Sequence, residues 1–336
     1  MQLLTIGRRG LPWIVAIATI GFVFIRVPVA EAWSAAREAR IEVLAPLVLG
    51  AVLLWFLLES FAYARLFSRF NVELSWRESR SLRGLSYLLT PIHLGLGKVG
   101  IVLRLSAIKR IPALEATSTV ALYQTVDAFA LAVLTTIGLS IIPTSAWVQE
   151  ARIGSTALIL VLATYLAFIR LDWPRNSLAD RVRQWTIHRT HRIFGGRDLL
   201  LILGIKLAYH GTFVAVFYFG TRAFGVDLPF SVALAATPII QAIGAIPISP
   251  AGLGTQQASM LYFFSAYGSE GAIVAFGFSL TAALIATRCL LGLVYLALLS
   301  PRDGGLSAPD TERARRFARQ YSREETASTS NGHGFP

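Results

Sequence analysis

The stretch that decides the fold is 228–269, which reads LPFSVALAATPIIQAIGAIPISPAGLGTQQASMLYFFSAYGS. These 42 residues include no Asp, Glu, Lys or Arg. A helix that crosses a bilayer needs about 20 apolar residues, and this stretch is about twice as long. Prolines and glycines interrupt it near its middle, at Pro247, Pro250, Gly252 and Gly254. The pattern predicts a re-entrant helical hairpin, which dips into the membrane and returns to the face that it entered.

A second stretch of the same kind lies earlier in the chain, at 84–112. It is apolar at its start and contains Pro91 followed by Gly95, Leu96 and Gly97. Proline and glycine again break the helical pattern near the middle. We therefore predict a second re-entrant hairpin that turns at this element.

The remaining apolar stretches predict spanning helices. Charged residues make up only 15% of the 336-residue chain and the mean hydropathy is +0.59, whereas a soluble globular protein has about 25% charged residues. This composition argues against a soluble enzyme. Because lipid offers backbone groups no hydrogen-bond partner, helices are the only open-ended structures that can cross a bilayer. The predicted class is an all-α polytopic membrane protein with about six spans, at roughly 11–28, 43–66, 116–142, 153–171, 199–222 and 271–300.

The positive charge predicts how the chain is oriented. The net charge is +12, and its basic residues are concentrated in the loop 65–83, the loop 170–197 and the tail after 301. Cytoplasmic loops collect Lys and Arg. All three regions fall on the cytoplasmic side only if the two hairpins enter from opposite faces, with both termini cytoplasmic. Topology in a cell membrane thus accounts for the charge, and no nucleic-acid partner is predicted.

An internal repeat supports the same arrangement. When the sequence is shifted by 156 residues, 43–66 falls on 199–222, 116–142 falls on 272–298, and Pro91 falls on Pro247. Opposed orientations of the two units make this an inverted-topology repeat, as in many transporters whose substrate sites lie near the midplane. We predict repeat halves at about 43–142 and 199–298 within a membrane domain 1–301. A disordered basic cytoplasmic tail is predicted at 302–336.

Charged and polar residues inside the apolar segments are the candidate site, because a charge in the bilayer costs several kcal/mol. Asp127 and Arg288 have matched predicted depths and are interpreted as a buried pair, either purely structural or holding a phosphate. Lys98 is either a snorkelling lysine or an anion contact. Lys206 is interpreted as snorkelling, with Glu59 as a possible partner. The candidate lipid- or anion-binding residues are Lys98, Asp127, Arg288, Gln124, Gln257, Ser249, Gly97, Gly254, Gly252 and His93.

Enzymatic chemistry has no recognisable support in the sequence. The chain has one cysteine, Cys289, and His93 lacks neighbours at metal-ligand spacing. We find no nucleophile–base set and no phosphate-binding loop. The sequence predicts a protein that is not an enzyme, with no cofactor and no metal.

With these motifs in view, the chain resembles the flippase-like transmembrane domain of lysylphosphatidylglycerol synthases, a family that also occurs as stand-alone membrane proteins. The resemblance covers most of 11–300 and rests on Pro91 with Gly97, on Asp127, on the string SPAGLG at 249–254, and on Arg288. It implies a polytopic helical domain with re-entrant segments that moves or accommodates lipids.

The chain departs from the family pattern at several ionic positions. Lys98 stands where an acid is usual, and Ile101 stands where an arginine is expected. Tyr123 and Gln124 replace a Glu-Arg pair, and Gln257 replaces a Glu. The substrate charge and any ion coupling therefore do not carry over from the family. Only a short polar tail follows the last span, so the chain is not expected to make lysyl-lipid itself.

Three functions remain open from the sequence. The first is a translocase for an anionic or polyprenyl-phosphate-type lipid, with a midplane cavity between opposed hairpins. The second is a non-transporting membrane partner of an enzyme that makes an envelope lipid or glycoconjugate. The third is an ion-coupled transporter of a small solute, with Asp127 as the proton or ion site. The predicted partners are anionic membrane lipids and, for the second function, an envelope-biosynthesis enzyme.

Overall fold

The structure is a computed structural model that describes residues 16–89, 94–171, 177–246, 249 and 252–298. Every regular element in these residues is helical, which confirms the all-α prediction. A short 3₁₀ helix spans Thr186–His188. The α-helices are α1 Ala16–Arg26, α2 Val29–Glu38, α3 Ile41–Phe70, α4 Trp76–Tyr87, α5 Leu94–Lys109, α6 Ala113–Ser140, α7 Ala146–Arg170, α8 Ser177–Arg183, α9 Arg189–Ile193, α10 Gly196–Arg222, α11 Phe230–Ala245, α12 Thr255–Phe264 and α13 Glu270–Ala297.

Five of the described helices, α3, α6, α7, α10 and α13, are long and apolar enough to cross a membrane. They coincide with five of the six predicted spans, so the chain is a multi-pass membrane protein. The first span differs from its prediction at 11–28. Helix α1 ends at Arg26, and the chain bends by 84° into α2. Residues 11–15 lie outside the described part.

Pairs of shorter helices flank the two predicted hairpin turns. Helices α4 and α5 have 12 and 16 residues, and α11 and α12 have 16 and 10. Each is shorter than the roughly 20 residues that a span requires. The turn residues 90–93, 247–248 and 250–251 lie outside the described residues. Because α4 begins at Trp76, the arginines Arg77, Arg80 and Arg83 lie on a helix, and the prediction of a loop over 65–83 is wrong there.

In each of these helix pairs, the start of the first helix lies close to the end of the second. In the first pair, Glu78 near the start of α4 forms an ion pair with Lys109, the last residue of α5, at 2.6 Å between Oε1 and Nζ. In the second pair, the backbone N–H of Asp227, just before α11, donates to the carbonyl of Tyr267, just after α12, at 3.1 Å. In each segment, residues at the two ends therefore contact each other.

Helix α10 shows that the two pairs begin at opposite ends of the bundle. Near its start, Asp198 lies 4.0 Å from Arg69, which is close to the end of α3 and to the first helix pair. At its end, the carbonyl of Arg222 accepts a hydrogen bond from Arg40, just before α3, at 2.9 Å. The second helix pair follows directly after that end of α10. The two pairs thus begin at opposite ends of the same long helix.

The helices follow the 156-residue offset seen in the sequence. Shifted by 156 residues, α4 falls on 232–243, within α11, and α6 falls on 269–296, against α13 at 270–297. The contacts repeat as well. Helix α3 packs on α10, α5 packs on α6 as α12 packs on α13, and α4 packs on α13 as α11 packs on α6. Each short helix α4 and α11 therefore rests against the long helix of the other half.

The α6–α11 contact depends on a glycine, and this yields a stability prediction. A Cβ atom on Gly138 would lie 2.5 Å from the backbone N of Ala235 and 2.6 Å from its Cα. Because backbone cannot swing aside, Gly138→Val should separate the helices and lower the free energy of unfolding by about 1–3 kcal/mol. Thermal unfolding in detergent measures the loss. Gly154→Val on α7, where a Cβ meets open space, is the matched control, and equal losses in the two variants would contradict the prediction.

Candidate functional site

The centre of the site is Asp127, which lies near the middle of α6. Its Oδ1 atom is 2.5 Å from Nζ of Lys206 and 3.1 Å from Nε2 of His210. Lys206 and His210 are one turn apart on α10, so one helix face presents both to the carboxylate. The prediction that Asp127 pairs with Arg288 is therefore wrong. The snorkelling interpretation of Lys206 is also wrong, because its exposed fraction is only 2%.

Aromatic rings and an amide complete the surroundings of these two α10 side chains. The Lys206 ammonium lies 3.6 Å from the ring centroid of Tyr123 and 5.1 Å from that of Tyr209. Ring faces attract a cation, more strongly where water is excluded. On its other side, His210 places Nδ1 3.1 Å from Oε1 of Gln241 on α11. The group therefore joins three helices, α6, α10 and α11.

A second buried ion pair joins α3 to α4. Glu59 forms an ion pair with Arg83, and both side chains are buried. The Arg83 guanidinium also donates to Ser86 at 3.0 Å and lies 4.5 Å from the Tyr87 ring centroid. Glu59 was expected as a partner for Lys206 and Arg83 was expected in a loop, and both expectations are wrong.

A signal for the buried position of Arg83 is present in the sequence. Ser75 and Glu78 form a capping box, in which the Ser75 side chain accepts from the Glu78 N–H and the Glu78 carboxylate accepts from the Ser75 N–H. The Ser-x-x-Glu spacing marks a helix start. A helix that begins at this capping box extends through Arg83, about two turns further on. The spacing therefore predicts a helical position for this arginine.

Two further cations lie nearby, and neither has a carboxylate partner among the described residues. Arg288, in the second half of α13, lies 5.7 Å from the ring centroids of both Trp55 and Tyr87. Lys98, the fifth residue of α5, is within electrostatic reach of Asp127, Lys206, Glu59 and Arg83. Among the described residues, neither Lys98 nor Arg288 forms an ion pair or a hydrogen bond.

We call these side chains together the charged centre. It contains Glu59, Arg83, Lys98, Asp127, Lys206 and Arg288, with His210 beside them. Trp55 connects its parts, because its indole N–H donates to the Tyr209 carbonyl at 3.1 Å while Arg288 faces its ring. Four cations thus face two carboxylates, which leaves two positive charges in excess when His210 is neutral.

Several buried polar atoms at the charged centre have no hydrogen-bond partner among the described residues. They are the hydroxyls of Tyr63 and Tyr123, Nε of Arg83 and of Arg288, and Nε2 of Gln241. Buried polar groups in proteins are nearly always hydrogen-bonded to protein or water. The centre therefore has unused capacity to donate hydrogen bonds as well as excess positive charge.

The predicted residues of the second turn have contacts of a different kind. Gly252 and Gly254 have φ angles of +73° and +82°, in the left-handed region that favours glycine. Gly254 also packs against α1, where a Cβ would lie 2.8 Å from the Cβ of Thr19. Ser249 hydrogen-bonds across the turn to Thr255, at 3.1 Å between their hydroxyls. These residues shape the turn.

Gln257 holds the same turn against α13. Its Oε1 accepts from the Gly254 N–H at 2.8 Å. Its Nε2 donates to the Gly277 carbonyl at 3.2 Å and to the Thr281 hydroxyl at 3.1 Å. The side chain is fully buried and its donors and acceptors serve these contacts. No hydrogen bond in the described residues joins Gln257 to the charged centre.

The remaining predicted residues lie near the charged centre or outside the described part. Gly97 is buried on α5, next to Lys98. Gln124 is half-buried on α6 and forms no hydrogen bond with the described residues. His93 lies outside the described residues. Over the described part, no group of three or more His, Cys, Asp or Glu side chains has the geometry to hold a metal ion.

Comparisons with known proteins give one family match. A search of curated proteins found no match to this chain. A model of the lysylphosphatidylglycerol synthase TM region matches residues 11–301, which is most of the sequence and includes every helix described above. This match agrees with the resemblance carried by the turn glycines, Asp127 and Arg288. The chain therefore belongs to the family of lysylphosphatidylglycerol synthase transmembrane regions.

Proposed function

We propose that the protein is a lipid translocase that receives an anionic headgroup at the charged centre while the acyl chains stay in the bilayer. The observation that carries the proposal is the excess of positive charge, in which Lys98 and Arg288 lack a carboxylate partner among the described residues. Membership of a family related to lipid handling supports a lipid as the source of the anion.

The cost of burying charge explains why the excess points to a ligand. A cation inside a membrane protein costs several kcal/mol unless it is paired or hydrated. Arg83 and Lys206 are paired with Glu59 and Asp127. An anionic headgroup supplies the missing counter-charge for the other two cations, and the unpartnered tyrosine hydroxyls and Gln241 amide add hydrogen-bond donors.

The two short helix pairs suggest how a headgroup reaches either side. In the proposed arrangement, α4–α5 and α11–α12 are re-entrant hairpins. The first enters from the cytoplasmic face and the second from the opposite face. The two halves then form an inverted repeat, with both termini in the cytoplasm. The Glu78–Lys109 ion pair and the Asp227–Tyr267 hydrogen bond support this reading, because each holds the two ends of one hairpin together. Movement of the hairpins then exposes the charged centre to one leaflet at a time.

Reconstituted vesicles test the proposal. The protein should speed movement of fluorescent phosphatidylglycerol between leaflets, measured by the fraction of fluorophore that a membrane-impermeant quencher reaches. Lys98→Gln and Arg288→Gln should each weaken headgroup binding about 10- to 150-fold, since losing a charged hydrogen bond costs about 1.5–3 kcal/mol. The double variant should approach the rate of protein-free vesicles.

Matched controls separate headgroup binding from general effects of charge. Arg152→Gln removes a cation from α7 whose guanidinium donates to the Leu139 carbonyl at 2.7 Å, away from the charged centre. It should leave the rate unchanged. Equal rates in the Lys98→Gln/Arg288→Gln double variant and the unmodified protein would refute the proposal. Headgroup binding without movement would instead favour the non-transporting partner of an envelope-biosynthesis enzyme.

An ion-coupled transporter of a small solute is the second candidate. The observation that favours it is Asp127, a mid-helix carboxylate held by a lysine and a histidine, which is the kind of group that binds coupling protons in transporters. Uptake of a water-soluble anion into vesicles, driven by a proton gradient and indifferent to lipid headgroup, would select this function over lipid movement.

A further inference from the structure

The site around His210 has a hydrogen-bonding pattern that bears on its protonation. Nε2 of His210 faces Oδ1 of Asp127 at 3.1 Å, and Nδ1 faces Oε1 of Gln241 at 3.1 Å. Both facing atoms are oxygens that accept hydrogen bonds. A neutral imidazole has one N–H donor and one acceptor nitrogen, whereas an imidazolium donates from both. The observed contacts therefore suit a doubly protonated ring.

The same three side chains also suit a neutral ring after one small movement. Nε2 of Gln241 is buried without a hydrogen-bond partner among the described residues. A half-turn of the Gln241 amide brings that donor to Nδ1 of His210, which a neutral ring leaves as an acceptor. The Asp127 contact is kept in both states. The site thus accommodates either protonation state of His210 without repacking of the helices.

The charges around His210 come from several helices. Lys206 lies on the same helix and Asp127 on α6, while Gln241 on α11 is uncharged. Lys98 on α5 is within electrostatic reach of Asp127 and Lys206. Glu59 on α3, Arg83 on α4 and Arg288 on α13 lie within electrostatic reach of Tyr209, the residue before His210. Protonation of His210 raises the excess positive charge of the centre from two to three. An anion bound at the centre offsets that added charge.

We infer that His210, held between Asp127 and Gln241, is a proton-binding site coupled to anion binding at the charged centre. The inference rests on the proposed function and deepens it, because it assigns a proton to the anionic headgroup that binds. The proton comes from bulk water and goes to the ring nitrogen that carries no hydrogen in the neutral state. Linkage is reciprocal, so the proton strengthens anion binding as much as the anion strengthens proton binding.

Proton uptake on lipid binding tests the inference. The purified full chain in detergent is titrated with phosphatidylglycerol in weakly buffered solution, and a pH-indicator dye reports the protons taken up. A phosphodiester keeps its charge between about pH 5 and about pH 8, where histidine titrates. We expect up to one proton per lipid bound, and an affinity that rises by up to about tenfold per unit fall in pH.

A parallel titration with sulfate distinguishes the two sources of the anion. Proton uptake with sulfate as well as with phosphatidylglycerol supports a site that reads the anion alone. Uptake with the lipid only supports a site that needs the lipid as a whole. Binding of phosphatidylglycerol with no proton uptake overturns the coupling and leaves the proposed function standing. Absence of any binding to the unmodified protein overturns the proposed function and the coupling with it.

Three variants locate the proton. His210→Gln keeps an amide donor for Asp127 but cannot titrate, so it should bind lipid with no proton uptake. Gln241→Leu leaves the Asp127–His210 contact and removes the second acceptor, so it should reduce proton uptake even if His210→Gln fails to fold. His191→Gln is the matched control, because burial and the nearby His188 lower the pKa of His191 to about 4 and keep it neutral over the titration range. Proton uptake in His210→Gln equal to that of the unmodified protein refutes the assignment.

Discussion

Replacing Asp127 with alanine should lower the free energy of unfolding by about 3–5 kcal/mol, the usual loss when a buried ion pair is broken on one side. Lys206 explains the size of the loss. Its exposed fraction is 2%, its ammonium lies 2.5 Å from the Asp127 carboxylate, and its other close contacts are tyrosine rings. Without the carboxylate, a cation stays buried with no counter-charge. Thermal unfolding of the purified protein in detergent measures the change.

Two further variants show whether the stranded charge is the cause. Adding Lys206→Met to Asp127→Ala removes the unpaired cation and should restore most of the lost stability. Gln124→Ala changes a half-buried residue on the same helix that forms no hydrogen bond with the described residues, and it should have little effect. If Asp127→Ala were as stable as Gln124→Ala, the ion pair would not contribute as the geometry indicates.

The Glu59→Ala variant is expected to lose a similar amount, about 3–5 kcal/mol. It leaves the Arg83 guanidinium buried on α4, where its remaining hydrogen bond and ring contact among the described residues are with Ser86 and Tyr87. Because α4 is half of the first helix pair, the loss should also loosen that pair. Thermal unfolding gives the stability, and the labelling rate of a cysteine introduced at Leu89, in a Cys289→Ala background, gives the opening of the turn.

A surface ion pair provides the contrast. Arg26 and Glu270 form a pair whose side chains are 48% and 32% exposed. Solvent screens such pairs and they contribute little. Glu270→Ala should therefore change stability far less than Glu59→Ala, and Arg83→Met combined with Glu59→Ala should recover most of the loss. An equal effect of the two Glu→Ala substitutions would show that burial of Arg83 does not set the cost.

The long helices were predictable because hydrophobic length determines them directly. Five long helices lie where the sequence predicts spans, and α6 shifted by 156 residues falls on α13. The start of α4 was not predicted. Its segment is rich in arginine, and by composition alone such a segment cannot be told from a cytoplasmic loop. The 84° bend after Arg26 was also missed, although Pro28, the residue that precedes α2, marks a break in the helix there.

The charged centre was predicted in part. Asp127, Lys98 and Arg288 were chosen because they carry charge in apolar segments, and the structure places them on helices that meet at one centre. Their partners could not be chosen from depth alone. Depth along a helix is readable from the sequence, but the direction in which a side chain points depends on how helices rotate against each other. Asp127 therefore faces α10 and its lysine and histidine instead of Arg288 on α13.

The crossed packing of the two halves has a mechanical consequence. Helix α4 belongs to the first half yet rests on α13 of the second, and α11 belongs to the second yet rests on α6 of the first. If the two helix pairs are the moving parts of the proposed translocase, any tilt between the two halves displaces both pairs in the same motion. Widening an opening at one surface then narrows its counterpart at the other, and no continuous water-filled path forms across the protein.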